Sequence, residues 1–119
     1  MPSAIGAHNY HSMSYNPNTG LVYIPVIKAL IQLQSTTPFD PKPHHLNTGA
    51  DILGESLFSP EFMQVFKNKI LRGELVAWDP IEQKAAWRYS HERTWNGGTL
   101  ATASNIIFQG TADQKFMAF

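Results

Sequence analysis

Short runs of β-forming residues alternate with clusters of turn residues along most of this sequence. Residues 12–15 and 21–25 flank the run Asn-Pro-Asn-Thr-Gly, in which proline fixes φ and asparagine or glycine accepts positive φ. Further turn clusters occur at residues 80–84, 104–105 and 112–114. This rhythm predicts antiparallel hairpins, as in a meander, a sandwich or a propeller blade.

The strands group into about one and three-quarter four-stranded units, so the predicted fold class is all-β. The first unit has an insert between its second and third strands, and the second unit has three strands. Residues 75–79 and 115–119 resemble each other weakly, so each is a candidate for the third strand of a repeat. The predicted strands are residues 12–15, 21–25, 74–79 and 85–90, followed by 99–103, 106–110 and 115–119.

We expect one partial domain over residues 1–119, with an irregular insert from about residue 27 to residue 73. Three prolines make residues 35–45 of the insert an extended loop. One short helix is expected over residues 60–71, with a serine cap before it and Gly73 closing its C-terminal end. The apolar face of this helix consists of Phe62, Phe66 and Ile70.

The composition indicates that other structure covers much of this chain. Its 119 residues suit one domain, and hydrophobic residues make up 43% of them. Charged residues make up only 15%, against about 25% in a typical soluble domain. Because the net charge is zero, there is no electrostatic basis for binding nucleic acid or an anionic membrane. Without cysteine, the sequence holds no disulfide, thiolate metal site or covalently attached c-type haem.

No segment of the sequence has the features of a targeting peptide or a membrane span. Residues 1–10 lack a basic start and an apolar core, so no signal peptide is expected. Residues 21–33 are interrupted by Pro25 and Lys28 and are too short to cross a bilayer. Residues 115–119 form an uncapped apolar strand, whose unpaired edge would invite aggregation in a free domain. We therefore expect a piece of a larger fold.

One spaced motif, suited to sheets that stack on each other, consists of Ala77, Asp79 and Trp87. The small residue lets neighbouring sheets approach, the aspartate caps a tight turn, and the tryptophan covers the seam between sheets. The spacing resembles the tryptophan-docking motif of quinoprotein dehydrogenase propellers, although Gln83 stands where that motif usually has glycine. The alternative interpretation is that Trp87 is an ordinary core residue.

Two longer segments carry a more specific resemblance to the type II quinoprotein alcohol dehydrogenases. Residues 6–17 read Gly-Ala-His-Asn-Tyr-His-Ser-Met-Ser-Tyr-Asn-Pro and resemble that family's Gly-Ala-His-Asn-Trp-His-Pro-Met-Ser segment. Residues 94–103 read Thr-Trp-Asn-Gly-Gly-Thr-Leu-Ala-Thr-Ala and resemble its Trp-Asn-Gly-Gly-Val-Leu-Ala-Thr-Ala-Gly segment, which residues 108–113 continue. The resemblance covers nearly the whole chain but a minor part of the family's length, on the C-terminal side of the propeller.

The resemblance implies a portion of an eight-bladed β-propeller that holds pyrroloquinoline quinone (PQQ) and Ca²⁺ near its axis. Enzymes of this family oxidise small alcohols by passing a hydride to the quinone, with an aspartate as the base. The protein orients the cofactor and tunes its electrostatics, while the cofactor carries the chemistry. Some members have a haem c domain after the propeller, and the family is periplasmic.

Carried over residue by residue, the resemblance gives four cofactor-binding candidates: Asn9, Tyr10, Gly98 and Thr99. Asn9 has an amide that can donate a hydrogen bond to a quinone or carboxylate oxygen. Tyr10 replaces the family's usual tryptophan and Thr99 its usual valine, so the packing on the cofactor differs here. Gly98 lets the backbone come close to the ring system. Ser12 replaces a proline.

The family's Ca²⁺ ligands, its catalytic base and its vicinal cysteine pair precede these segments, so no catalytic residue and no metal ligand is assigned to this chain. His8 and His11 lack the third ligand of a metal site, and they are interpreted as flanking Asn9. Asp79 and Asp113 are interpreted as turn residues, and Trp95 as a packing residue. The expected partners are the remainder of the propeller and a small alcohol substrate.

Three functions remain open from the sequence. The first is a fragment of a PQQ- and calcium-dependent alcohol dehydrogenase that contributes part of the cofactor-site wall and is inactive alone. The second is a non-catalytic propeller scaffold that binds other proteins, against which the two family-like segments argue. The third is the inactive product of a gene fragment, with poor solubility because its sheet edges are exposed.

Overall fold

The computed structural model describes residues 6–29, 34–35, 38–44, 47–51 and 71–119. Every regular element among these residues is a β-strand, so the predicted all-β class is confirmed. The helix expected over residues 60–71 lies outside the described residues, apart from Leu71. The strands are β1 (Ser14–Asn16), β2 (Leu21–Lys28), β3 (Gln34–Ser35), β4 (Ala50–Asp51), β5 (Arg72–Asp79), β6 (Lys84–His91), β7 (Thr99–Ala101), β8 (Ile107–Gly110) and β9 (Phe116–Ala118).

Two antiparallel sheets carry the architecture. The first is four-stranded in the order β1-β2-β5-β6, and the second is three-stranded in the order β7-β8-β9. The insert leaves the first sheet after β2 and returns at β5, and it contains the two-stranded ribbon of β3 and β4. This arrangement confirms the prediction of one complete four-stranded unit, interrupted after its second strand, and three strands of a next unit.

The strands on either side of the insert are longer than the sequence suggested. β2 continues to Lys28 and β5 already begins at Arg72, and these two residues pair with each other. Gly73 is therefore a strand residue, and the prediction that it closes a helix is wrong. A Cβ atom at Gly73 would overlap the side chain of Asn96, so this glycine leaves room for a buried amide from a distant loop.

Each of the four hairpin turns contains one residue with positive φ shortly before the next strand. In the first turn this residue is Gly20, which accepts the conformation without strain. Gln83, Asn105 and Gln114 hold the same position in the other turns, with φ between 52° and 66°. The two glutamines adopt this conformation at a steric cost, because their Cβ atoms crowd the backbone.

The turns also begin alike, on a polar side chain that accepts hydrogen bonds from the turn backbone. Asp79 Oδ1 accepts from the amides of Ile81 at 2.9 Å and Glu82 at 3.0 Å, which confirms its predicted capping role. Asn16 Oδ1 accepts from the Asn18 amide at 2.9 Å. The corresponding acceptors in the last two turns are the hydroxyls of Thr102 and Thr111.

The core lies where the two sheets meet. Its fully buried members are Tyr23, Leu75, Ala77 and Ile107, of which the last comes from the second sheet. Trp87 pairs with Ala77 across β5 and β6. Its ring lies 5.9 Å from the Tyr23 ring between centroids. Trp87 also packs on Phe119, next to the second sheet, so it covers the seam between the sheets as predicted.

One buried carboxylate lies on the other face of the first sheet. Glu74 is only 4% exposed, and it accepts hydrogen bonds from Lys28 Nζ and Arg88 Nη1, each at 2.9 Å. The two cations come from β2 and β6, the strands on either side of β5. Glu74 thus links three strands of the sheet through charge-assisted hydrogen bonds.

Candidate functional site

The two segments singled out in the sequence lie side by side in the structure. Residues 6–17 include β1, and residues 94–103 include β7, so each segment leads into and contains the first strand of its sheet. The Thr99 amide donates to the Ser12 carbonyl at 2.9 Å. The hydroxyls of Ser14 and Thr99, which are 85 residues apart in the sequence, are 2.8 Å apart. The fold therefore brings the predicted cofactor-binding residues of both segments to one place.

An aromatic cluster, consisting of Tyr10, His11 and Trp95, lies at the junction where residues 6–17 meet residues 94–103. The Tyr10 ring stacks on His11 with 4.3 Å between centroids and on Trp95 with 6.2 Å. Tyr10 is 78% exposed and Trp95 is 45% exposed. Trp95 was expected to be a packing residue, and it does pack on Tyr10, but about half of its surface is free. The cluster offers flat apolar surface to a ligand.

His11 is the buried member of the aromatic cluster. Burial lowers the pKa of His11, and the neighbouring charge of His8 lowers it further. Among the described residues, no hydrogen-bond partner is present for the buried Nδ1 atom of His11. The lowered pKa favours the neutral form of His11, whose ring packs against Tyr10 and Trp95.

Asn9 directly follows two residues that are anchored to β2. The His8 ring makes a hydrogen bond of 2.8 Å through Nδ1 to the Pro25 carbonyl, and the Ile27 amide donates to the Ala7 carbonyl at 2.7 Å. These contacts fix the preceding residues on β2. The side chain of Asn9 is exposed next to Tyr10.

Gly98 and Thr99 pack against the first segment. A Cβ atom at Gly98 would overlap the Ser12 hydroxyl, so the contact between the segments itself requires glycine. The Thr99 side chain is buried between the sheets, where its hydroxyl contacts Ser14 and donates to the Tyr23 carbonyl at 3.3 Å. The side chain of Thr99 thus holds the two segments together, while its backbone lies at the junction.

Gly97 is held by β8. Its amide donates to the Gly110 carbonyl at 2.7 Å, and its carbonyl accepts from Gln109 Nε2 at 2.9 Å. Gln109 Oε1 lies 3.0 Å from Nε2 of His91. The sequence analysis missed Gln109 and His91, although an amide at a buried position of an apolar strand, two residues after Ile107, is a recognisable signal.

Asn96 is a further buried residue that the sequence analysis missed. Its Nδ2 donates to the Arg93 carbonyl at 2.7 Å, and its Oδ1 accepts from the Ala112 amide at 3.1 Å. The side chain closes the loop before Gly97 and ties it to the turn between β8 and β9. The amide of Asn96 is therefore a structural clamp behind the junction.

A cavity of about 710 Å³ opens beside Trp95 and is lined by Leu71, Arg72, Glu92, Arg93, Thr94, Trp95 and Ala112. In the described part of the chain, no group of three or more His, Asp or Glu side chains is placed to hold a metal ion. Nor does that part contain a helix long and apolar enough to cross a membrane.

The packed antiparallel sheets, with a tryptophan over their seam, define this chain as part of a β-propeller. Two solved structures share the fold. One is the quinohemoprotein alcohol dehydrogenase ADHIIG of Pseudomonas putida HK5, with a TM-score of 0.83 and 37% identity over 100% of this chain and 18% of that chain. The other is the quinohemoprotein alcohol dehydrogenase of Comamonas testosteroni, with a TM-score of 0.78 and 38% identity over 99% of this chain and 18% of that chain.

Curated relatives give the same result, although no protein-family profile matches the chain. The quinohemoprotein alcohol dehydrogenase of Comamonas testosteroni is 41% identical over 120 residues, which are 100% of this chain and 17% of the relative. The 1-butanol dehydrogenase (cytochrome c) of Thauera butanivorans is 39% identical over 123 residues, 99% of this chain and 17% of the relative. The chain is therefore homologous to a segment of the quinohemoprotein alcohol dehydrogenases, and it spans about a sixth of their length.

Proposed function

We propose that this chain forms part of the cofactor-site wall of a PQQ- and calcium-dependent enzyme that oxidises alcohols to aldehydes. Asn9, Tyr10, Gly98 and Thr99 are the residues nearest the quinone in this proposal. The observation that carries it is the convergence of the two family-like segments, through the Ser12–Thr99 and Ser14–Thr99 hydrogen bonds, next to an exposed aromatic cluster.

The residues at the junction fit a planar, oxygen-rich cofactor. Tyr10 presents a flat and largely exposed ring, and Asn9 presents an exposed amide beside it. The amides of Gly97 and Thr99 are both bonded within the protein, whereas the Gly98 amide has no hydrogen-bond acceptor among the described residues. A free backbone N–H and a side-chain amide are suitable donors to quinone or carboxylate oxygens.

In this proposal the chain contributes binding and orientation. Bound PQQ supplies the two-electron acceptor for the alcohol. The calcium ligands, the catalytic base and any haem belong to the remainder of the propeller protein, which works in the periplasm. The junction residues hold the quinone ring in place and keep water from one side of it.

The first test is an immunoblot of the source organism with an antibody against this chain. A band several times larger than a 119-residue product supports the proposal, because the rest of the propeller is then attached. A single band at the size of this chain contradicts it, and the sequence then reflects ancestry alone.

The second test is Asn9→Ala in the protein that carries this chain. We expect PQQ affinity to fall about 10-fold, the effect of removing one hydrogen bond to a charged group. Asn18→Ala is the matched control, because Asn18 is also an exposed asparagine, and its side chain donates to the Ala103 carbonyl in the turn after β7 instead of lying next to Tyr10. Equal PQQ affinity in both variants would show that Asn9 does not bind the cofactor.

A further inference from the structure

We infer that Gln109 is a positioning residue that aims the Gly98 backbone amide, and that His91 orients Gln109. Both residues lie outside residues 6–17 and 94–103, the two stretches that meet at the proposed cofactor site. The link to the cofactor rests on the proposed function, whereas the positioning of the backbone can be tested without it.

The hydrogen bonds assign a direction to this chain of contacts. Gln109 is 1% exposed, and its Nε2 donates to the Gly97 carbonyl at 2.9 Å. Its Oε1 is then left as an acceptor, so His91 Nε2 carries the proton in the 3.0 Å contact between them. The order is therefore His91 to Gln109 to the Gly97 carbonyl, with each group donating to the next.

The planarity of the peptide bond connects Gln109 to Gly98. The Gly97 carbonyl and the Gly98 N–H belong to one trans peptide plane, in which they point in opposite directions. Gln109 draws the carbonyl towards β8, and this turns the Gly98 N–H away from β8. Since the Gly98 amide has no acceptor among the described residues, it is the donor that remains for a ligand.

The peptide plane between two consecutive glycines needs a constraint from outside the pair. Gly97 and Gly98 have no side chains to restrict their φ and ψ angles, so the peptide plane between them could rotate at low cost. The Gly110 carbonyl fixes the plane before it, and the Ser12 carbonyl fixes Thr99 after it. Gln109 supplies the remaining constraint on the plane between the two glycines.

The test compares Gln109→Met with Asn16→Leu in the protein that carries this chain. Both variants replace an amide that is 1% exposed by an apolar side chain of similar size. Asn16 bridges the same two sheets, through Asn105 Oδ1 at 3.1 Å, but it bonds to the turn after β7 and not to the glycine pair. Both should lower thermal stability to a similar extent, so a merely structural role predicts equal behaviour in every other measurement.

Two further measurements separate the variants. The Gly97 amide keeps its bond to the Gly110 carbonyl in Gln109→Met, but local opening of the glycine pair then breaks one buried hydrogen bond fewer. Hydrogen–deuterium exchange of this amide should therefore accelerate about 10-fold. PQQ affinity of the apoprotein, measured by titration with PQQ, should fall by a similar factor. Asn16→Leu should leave both within about two-fold of the parent, because the Gly97–Gly98 plane is untouched.

The outcomes distinguish this inference from the proposed function. Equal Gly97 exchange in both variants overturns the positioning role, whether or not PQQ binds. If the unaltered protein does not bind PQQ, the proposed function fails and the exchange result alone decides the role of Gln109. Faster exchange with unchanged PQQ affinity overturns the claim that the Gly98 amide is a ligand donor.

A second variant covers the case in which Gln109→Met does not fold. His91→Phe keeps a ring between Tyr89 and Phe119, whose centroids lie 5.1 Å and 6.4 Å from that of His91. It removes only the N–H that orients Gln109. We expect the same changes in Gly97 exchange and PQQ affinity, at about 3-fold each, and no change in either would refute the role of His91.

Discussion

Trp87 and Phe119 stack with 6.0 Å between their ring centroids and an angle of 26° between their planes. Trp87 belongs to the last strand of the first sheet, and Phe119 directly follows the last strand of the second. The contact therefore joins the two sheets at their last strands, while the Ser14–Thr99 contact joins them at their first strands.

Replacing Trp87 by alanine should destabilise the protein by about 3 kcal/mol, since a large aromatic side chain at the seam is lost and a cavity remains. The measurement is urea unfolding of the protein that carries this chain. Tyr15→Ala is the control, because Tyr15 is exposed on β1 and its loss should cost less than about 1 kcal/mol. Similar losses in both variants would show that Trp87 does not hold the seam.

Gln83→Gly should raise the free energy of unfolding by about 0.5 kcal/mol. Gln83 has a φ of 52°, so glycine relieves steric strain that exceeds the entropy it adds to the unfolded chain. Glu82→Gly in the same turn, at a position without positive φ, should instead cost about 0.5–1 kcal/mol. Opposite signs in thermal melts confirm the turn geometry, and a loss in both variants contradicts it.

The buried carboxyl of Glu74 should make the free energy of unfolding depend on pH in the acidic range. Burial would raise the pKa of this carboxyl, but the hydrogen bonds and charges of Lys28 and Arg88 outweigh burial and hold the pKa below its usual 4.5. Because the folded value is lower than the unfolded value, this stabilisation is complete above about pH 4.5 and is lost as the pH falls through the folded pKa. Melting temperatures between pH 7 and pH 3 measure the loss.

Glu74→Gln gives the matching variant. It should cost about 2 kcal/mol at pH 7, because two hydrogen bonds to charged groups lose their carboxylate. Lys28 and Arg88 are half exposed and can turn to water, which limits the penalty. The variant should also lose part of the acid dependence below pH 4.5. An unchanged acid profile would assign that dependence to other carboxyls.

Tyr10→Trp should tighten PQQ binding about 3-fold if the ring at this position lies on the cofactor, because indole offers a larger flat surface. Tyr15→Trp adds the same ring to an exposed site on β1 and should leave the affinity unchanged. Apoprotein titration with PQQ measures both variants. Equal affinities in the parent and in Tyr10→Trp would place the cofactor away from this ring.

Local chemistry made the hairpins predictable from the sequence. Asp79 and the run from Asn16 to Gly20 act on neighbours within four residues, so their turns can be identified without knowing the rest of the fold. The predicted role of Gly73 was wrong because glycine is common both at helix ends and where a neighbouring side chain leaves no room for a Cβ atom. Only the distant Asn96 shows which of the two applies.

The candidate site was predictable only in part. Asn9, Tyr10, Gly98 and Thr99 came from resemblance, and the structure shows that the two segments which carry them meet. The residues behind them depend on long-range contacts: Gln109 reaches Gly97 across 12 positions and His91 across 18. A single sequence carries no direct signal for such pairs, because hydrogen-bond partners of a buried amide are set by tertiary packing.

The arrangement around Glu74 also bears on how the first sheet assembles. Val26 and Ser90 lie opposite Glu74, which leaves Lys28 and Arg88 on its diagonals and on its face of the sheet. A shift of either neighbouring strand by one residue would carry its cation to the opposite face. The central carboxylate would then be buried with only one counter-charge, or none. Only the observed register gives Glu74 both of its cations. The three charges thus favour the correct alignment of the strands on both sides of a long insert.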